Sequence, residues 1–322
     1  YTNYIIIACI CVFSVMGIGY GYLQQSLNID MSLSRKKTTN IGGKGVVIVS
    51  SGDGLYEDQY EDGRYIYRGS EPNNYIQFNN ELWRIIAKEA DGTYKIIRDK
   101  PIGTRAFDES NHRLTANNTY CDNPSWGCSV YGKISGTYTL GNLSGTVTED
   151  SSVAEYLNGE YYKSLTAIAK NQIQTHAFNI GGVLQLDQSG NDSIAKNLQQ
   201  EKAYQWTGNI GLPNVTDILR ASTDSSCISA TDDYNTYDAC KTSYLVIGMQ
   251  NDTYFLTTNG YAREGFSASH NVWYVRRTSS GVRLGSDGAN YSDRGVRPTI
   301  YLNSNIQIIS GDGSNTNPYI IQ

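Results

Sequence analysis

The sequence predicts an α+β domain made mainly of antiparallel strands, with a few short helices and long loops. Short runs of alternating polar and apolar residues occur before residue 100 and after residue 244, and helical spacing is confined to the middle. Tyrosine and glycine are frequent, at 26 and 32 of 322 residues. Tyrosine suits the half-buried face of a strand, and glycine suits the turns between strands. A chain of this length can bury one large core.

The charge balance excludes nucleic acid as a partner class. Lys and Arg number 26 against 31 acidic residues, and the formal net charge is -5. Such a chain has no broad positive field for a polyanion.

Residues 4–23, "YIIIACICVFSVMGIGYGYL", contain no charged side chain. A helix of this length can cross the roughly 30 Å hydrocarbon core of a bilayer. We therefore interpret residues 1–30 as a transmembrane anchor or a cleaved signal segment, and residues 31–45 as a linker. The basic residues 35–37 follow the run and favour the opposite orientation, but the cysteines favour export.

Four cysteines beyond this run form two close pairs in the sequence, Cys121 with Cys128 and Cys227 with Cys240. Loop closure favours these local pairings over the crossed ones, and neither spacing is that of a zinc knuckle. Because disulfides persist in oxidising compartments, we expect residues 46–322 to lie outside the cell. The domain is then either held at the membrane by residues 4–23 or secreted after signal cleavage.

Strand patterns begin at Val46 and are clearest in "YIYRG", "YIQFNNELWRIIA" and "YKIIRDK". Asp91 and Gly92, between the last two runs, predict a hairpin. Residues 106–149 are rich in Gly, Ser, Thr and Asn, which predicts long loops with little regular structure.

Helical spacing appears after this segment. Ser152 and Glu155 have the spacing of a capping box, and a break near Gly159 predicts two short helices. A third helix is predicted around Ser193 to Tyr204. Strands resume at Tyr244, and the last three runs, "VWYVRRT", "GVRLGS" and "GVRPTIYL", predict a β-meander.

Three of these segments carry a resemblance. Residues 272–302, "VWYVRRTSSGVRLGSDGANYSDRGVRPTIYL", resemble the closing segment of C-type-lectin-like domains related to formylglycine-generating enzymes, and more closely that of an uncharacterised family of Gram-positive surface domains. Residues 81–97 resemble that family's opening hairpin, and residues 151–165 resemble its helical segment. The resemblance implies a C-type-lectin-like extracellular domain over residues 46–322.

The same resemblance implies a structural role for Arg297. In similar domains the arginine of the last strand lies near the core, where it needs a partner. We expect a carboxylate such as Asp99 or Glu81 to pair with it. Arg294, three residues earlier, is expected to be solvated.

The sequence predicts no catalytic or metal-binding residues. Enzymes of the wider fold hold copper through a cysteine pair or iron through histidines, but here the cysteines are assigned to disulfides and the histidines are isolated. No nucleophile elbow or phosphate-binding glycine loop is present. The acidic stretches 51–64 and 231–238 do not keep the order of an EF-hand, so we interpret them as solvated loops and predict neither calcium nor another cofactor.

The functional interpretation is a noncatalytic recognition domain on the surface of a bacterium, with an unknown glycan or surface protein as its ligand. The loops near the end of the chain combine aromatic, arginine and amide side chains, as the centres of interfaces do. The candidate ligand-binding residues are His270, Trp273, Tyr274, Arg276, Arg277, Arg283, Asn290 and Tyr291. The alternative is a structural surface or filament subunit that self-associates through the same tyrosines. An enzyme of the formylglycine-generating type is the third hypothesis.

Overall fold

Antiparallel strands dominate the computed structural model, which describes residues 36–121, 123–184, 193–227, 238–246, 253–260, 267–278 and 281–322. The strands are β1 (Thr38–Ile41), β2 (Lys44–Val47), β3 (Gly54–Glu57), β4 (Tyr65–Arg68), β5 (Tyr75–Phe78), β6 (Glu81–Lys88), β7 (Tyr94–Arg98), β8 (Thr137–Leu140), β9 (Leu143–Thr146), β10 (His176–Asn179), β11 (Gln205–Gly208), β12 (Ile210–Gly211), β13 (Thr253–Asn259), β14 (Asn271–Thr278), β15 (Gly281–Gly288), β16 (Thr299–Leu302), β17 (Ile308–Ser310) and β18 (Tyr319–Ile321).

The helices are short. They are α1 (Ser152–Tyr156), α2 (Tyr162–Ser164), α3 (Ala167–Gln172), α4 (Ser193–Lys202) and α5 (Val215–Arg220), with a π-helical turn at Leu157–Tyr161 and 3-10 turns at Pro124–Trp126 and Asp238–Thr242. The predicted β-rich α+β class is therefore confirmed. The apolar run at residues 4–23 lies outside the described residues, and within the described ones no helix has the length and apolar character needed to cross a membrane.

A nine-stranded sheet forms the centre of the unit Thr39–Gln322. Its order is β12-β16-β7-β6-β5-β18-β17, with β4 bonded to β6 and β3 bonded to β4. Neighbouring strands are antiparallel except β18, which runs parallel to β5. Every residue from 83 to 87 in β6 is buried, so both faces of the sheet are covered there.

The predicted hairpin between β6 and β7 is confirmed. Lys88 pairs with Tyr94 across it, and the connection contains Asp91 and Gly92. Gly92 has a φ of 90°, a conformation that glycine adopts without a steric penalty. The Asp91 carboxylate accepts hydrogen bonds from the Thr93 amide at 2.9 Å and hydroxyl at 2.7 Å, which closes the turn.

The predicted meander is wrong at its third strand. β13, β14 and β15 form a separate three-stranded sheet, whereas β16 pairs with β7 and β12 in the large sheet. All four residues of β16 are buried. A strand apolar on both faces needs cover on both sides, and the position beside β7 in the large sheet supplies it.

The helices partly follow the predictions. The N-cap of α1 is Ser151, one residue earlier than predicted, and its side chain accepts a hydrogen bond from the Ala154 amide at 3.2 Å. The chain stays helical through Gly159 and breaks at Leu165, where the backbone becomes extended. Helix α4 confirms the third predicted helix. The capped helix α5 was not predicted.

The acidic segment 51–64 is solvated only in part: Asp53, Glu57 and Asp62 are exposed, as the sequence predicts, but Asp58 is not. Asp58 is buried, and its Oδ2 lies 2.5 Å from Arg64 Nη1 and 2.7 Å from Arg220 Nη1. Arg220 also lies 2.6 Å from Glu61. The segment alone could not indicate this, because Arg220 comes from helix α5, far along the chain. The second acidic stretch falls mostly outside the described residues.

The same network reaches the large sheet. Lys95 of β7 contacts Asp217 of helix α5 at 2.6 Å, and Arg64 contacts Glu89 beside β6 at 2.8 Å. A charge can be buried at a tolerable free energy only when it has such partners. The network therefore fixes helix α5 and the segment 51–64 against the sheet.

Arg297 is 1% exposed and lies in the segment that leads into β16. Its Nε donates to the Arg98 carbonyl at 3.0 Å, and its Nη1 donates to the Leu245 carbonyl at 2.9 Å. Glu81, one of the expected carboxylate partners, is instead bound by Arg98 at 3.0 Å. Burial and main-chain hydrogen bonds support the predicted structural role of Arg297.

Acid should destabilise this fold through Glu61. Burial alone would raise the pKa of Glu61, but Arg220 and Arg64 outweigh it and lower the pKa from 4.5 to about 2. Because the folded-state pKa is depressed, this stabilisation is complete above about pH 4.5 and is lost as the pH falls through about 2. We expect Tm to fall over that range. Glu61→Gln should have a lower Tm at neutral pH and a weaker acid dependence, and equal acid dependence in both proteins would contradict the assignment.

Arg297→Ala should destabilise the protein by about 3 kcal/mol or more, because it leaves the buried Leu245 carbonyl and the part-buried Arg98 carbonyl without their donor and opens a cavity. Arg297→Lys, which keeps one donor group, should lie between this variant and wild type. Arg276→Ala is the matched control, because Arg276 is exposed on β14 and its loss should change stability by no more than about 0.5 kcal/mol. Urea unfolding measures all three, and a small effect for Arg297→Ala would refute a structural role.

Candidate functional site

Two of the predicted ligand-binding residues are buried. Trp273 in β14 is 0% exposed, and its Nε1 donates to the Val183 carbonyl at 2.8 Å. Tyr274 is 4% exposed, and the guanidinium carbon of Arg294 lies 5.2 Å from the centre of the Tyr274 ring. A ligand cannot reach either ring, so both predictions are wrong. β14 is the central strand of its three-stranded sheet, and its residues 271–275 are buried on both faces.

Of the three predicted arginines, the structure describes the side chain of Arg276 alone. Arg276 is exposed and pairs in register with Arg283 of β15. The side chains of Arg277 and Arg283 lie outside the described residues, so their role stays a prediction. His270 is half-buried in the turn before β14, and its carbonyl accepts a hydrogen bond from Ala289 at 2.7 Å.

Asn290 and Tyr291, the remaining predicted residues, lie where three loops meet. We call these loops, residues 108–114, 123–127 and 288–294, the three-loop face. The amide of Asn111 donates to the Pro124 carbonyl at 2.7 Å, which joins the first two loops. The side chain of Asn290 donates to Ser110 Oγ at 3.2 Å, which joins the first and third.

The three-loop face carries two exposed aromatic rings. Trp126 is 52% exposed and Tyr291 is 47% exposed, and no other aromatic side chain is among the exposed large hydrophobic residues of the described chain. Leu114, at the end of the first loop, is 67% exposed. Exposed aromatic and apolar side chains grouped in this way are typical of a binding surface.

A buried carboxylate, Asp108, holds the base of this face. Asp108 is 0% exposed and accepts hydrogen bonds from the Cys128 amide at 2.7 Å and the Ser152 amide at 3.0 Å. Arg113 Nε lies 3.4 Å from Oδ2, the same oxygen that accepts from Cys128. Burial alone would raise the pKa of Asp108, but Arg113, His112 and the donated hydrogen bonds lower it below the ordinary value. Asp108 is therefore ionised, and it ties the first loop to the second and to the start of helix α1.

His112 extends from Asp108 to helix α1. Its Nδ1 lies 2.9 Å from Asp108 Oδ1, and its Nε2 lies 3.1 Å from Glu155 Oε2. The hydrogen bond to Asp108 is the main cause that raises the pKa of His112 above 6.5. The ring thus has a carboxylate at each nitrogen.

Both predicted disulfides, Cys121–Cys128 and Cys227–Cys240, are present. The first closes the loop that carries Trp126, and the amide of Cys128 is bound by Asp108. A covalent bond and a buried carboxylate therefore limit the movement of this exposed tryptophan. Two disulfides also indicate an oxidising compartment, and thus an extracellular or secreted protein.

Arg294 is not the solvated residue that the sequence suggests. Its side chain is 17% exposed and forms ion pairs with Asp287 and, at 2.7 Å, with Asp293. Its guanidinium also lies 5.7 Å from the centre of the Tyr291 ring and 5.2 Å from that of Tyr274. Arg294 thus supports the exposed ring of Tyr291 through a cation–π contact.

Sequence reasoning missed Trp126 and Asp108. Trp126 lies between Cys121 and Cys128 beside Pro124, Ser125 and Gly127, and these turn-forming neighbours are the sequence signal for an exposed position. Asp108 gave no local signal, because its partners Cys128 and Ser152 are distant in sequence. Within the described residues, no group of three or more His, Cys, Asp or Glu side chains is arranged to hold a metal ion.

Comparison of the chain with protein-family models, curated proteins and solved structures finds no match. The function is therefore argued from the geometry of this chain.

Proposed function

We propose that this protein is a noncatalytic recognition domain on the outside of a bacterial cell, and that the three-loop face binds its ligand. The observation that carries the proposal is the position of Trp126 and Tyr291, exposed on loops whose bases are fixed. A binding site needs rings that are accessible and already ordered, because ordering them on binding costs free energy.

The side chains around the rings favour a glycan over a protein as the ligand. The flat apolar face of an aromatic ring can cover the C–H face of a sugar. Asn290 and the exposed side chain of Glu155 provide amide and carboxylate groups that hydroxyls can use as hydrogen-bond partners. This mixture of exposed rings and short polar groups is also what the C-type-lectin-like fold, which we propose for the domain, can display on its loops.

The segment at residues 4–23 bears on where the protein is located in the proposal. Its uncharged length supports a membrane anchor or an export signal, and the two disulfides support a location outside the membrane. The domain would then face the surroundings of the cell.

Loss of either exposed ring should weaken binding. We expect Trp126→Ala and Tyr291→Ala to lower affinity for a glycan found on an array by about tenfold or more, as anchor residues do, while Tm changes little. Ile309→Ala is the matched control, because Ile309 is 59% exposed in β17, at the opposite edge of the large sheet from β16. Equal affinity in all variants would remove the three-loop face as the site. Concentration-dependent assembly that is lost in Trp126→Ala, seen by sedimentation, would favour the filament subunit instead.

The predicted topology has its own test. Protease added to intact cells should remove the domain, because residues after the apolar run are expected outside. The measurement is loss of the full-length band, with a cytoplasmic protein as the control for lysis. Complete protection of the domain would contradict the surface location.

A further inference from the structure

His112 joins the three-loop face to helix α1 through two carboxylates. Its Nδ1 faces Asp108 at 2.9 Å and its Nε2 faces Glu155 at 3.1 Å. Only the imidazolium carries a proton on both nitrogens, so only the charged ring can donate to both carboxylates at once.

The neutral ring must give up one of these hydrogen bonds. Asp108 is fully buried and holds several other donors in place, whereas the side chain of Glu155 is 56% exposed. A lone pair on Nε2 would face the Glu155 carboxylate, and Glu155 can turn into water at little cost. Deprotonation of His112 therefore breaks the contact to Glu155 and keeps the contact to Asp108.

The contact to Glu155 affects the whole face, because the residues just before His112 bond to the other two loops. Asn111 has a φ of 61°, in the left-handed region that asparagine adopts more readily than most other non-glycine residues. Its amide is bonded to Pro124, in the turn that carries Trp126, and the neighbouring Ser110 is bonded to Asn290. Release of His112 from helix α1 would loosen the segment that links all three loops.

The charged groups around His112 come from two elements. Asp108 and Arg113 belong to its own loop, and Arg113 contacts the other oxygen of Asp108 at 3.4 Å. Glu155 faces it from helix α1. Glu149 and Asp150, just before that helix, act on Arg113. The carboxylates nearest the ring favour the imidazolium, and the pKa of His112 is accordingly raised.

We propose that His112 is a pH switch for the three-loop face: the protonated ring adds a contact to Glu155 of helix α1, and loss of the proton removes this contact while Asp108 still holds the face to Ser152 at the start of the helix. Because the folded-state pKa is raised, the contact to Glu155 is complete below the unfolded value of about 6.5 and is lost as the pH rises through the folded pKa. Ligand binding should then be tightest in mildly acidic surroundings. This regulation rests on the proposed function, but the order of the face can be measured without any ligand.

Trp126 provides that measurement in the full-length protein. The other three tryptophans, Trp83, Trp206 and Trp273, are 0%, 7% and 0% exposed, so quenching of fluorescence by acrylamide reports mainly on Trp126. We expect quenching to increase by about twofold as the pH rises through the transition. Its midpoint should equal the pKa of His112 measured by NMR, and that pKa should exceed about 6.5.

Glu155→Gln keeps the size of the side chain and removes its charge. It should lower the pKa of His112, and the midpoint of quenching should move with it, whereas His112→Gln should abolish the pH dependence. His176→Gln is the matched control, because His176 also contacts a carboxylate, Asp91 at 3.1 Å, but lies in β10, and it should leave the profile unchanged.

Quenching in the wild type that does not change while His112 titrates would overturn the switch, as would a midpoint unmoved by Glu155→Gln. Failure of the proposed recognition function is a separate outcome, because it would be seen as equal glycan affinity in Trp126→Ala and wild type.

Discussion

The ionised carboxylate of Asp108 is the constraint on which the candidate site depends. Asp108 has no exposure to water, so each of its oxygens must be satisfied by the protein. It draws one donor from the disulfide loop at Cys128, one from the start of helix α1 at Ser152 and one from His112. Its negative charge also lies at the N-terminal end of a helix, where the amides point towards it. Three separate segments are thereby fixed at one point at the base of the three-loop face.

A second buried ionic cluster fixes helix α5 and the segment 51–64 against the large sheet. Arg64 and Arg220 converge on Asp58, and Lys95 reaches Asp217. In both places charged side chains from distant segments meet inside the protein. Such clusters contribute to the choice of a single arrangement, because any other packing leaves a buried charge without its partner.

The sequence predicts local structure well and distant pairing poorly. The hairpin at Asp91 and Gly92, helix α4 and the two disulfides follow from turn residues, apolar spacing and short cysteine loops, which are all local signals. The placement of β16 beside β7 and the burial of Trp273 depend on which sheet covers which strand. No pattern within one strand contains that information. The site was half predicted for the same reason: Asn290 and Tyr291 lie in a recognisable polar loop, whereas the loop that brings Trp126 beside them is distant in sequence.

Tyrosine content shows why composition alone misplaces the binding surface. Tyrosine is abundant in the chain, yet Tyr67, Tyr131, Tyr138 and Tyr244 are among the most completely buried large side chains of the described protein. Rings such as those of Tyr131 and Trp206, 5.2 Å apart and nearly perpendicular, pack edge to face in the core. Most of the aromatic surface therefore stabilises the fold. The two rings that remain exposed belong to two loops that both bond to Asp108, and the loop of Trp126 is also closed by the Cys121–Cys128 disulfide. Because the core accommodates aromatic side chains so readily elsewhere, the exposure of Trp126 and Tyr291 distinguishes the three-loop face from the rest of the described surface.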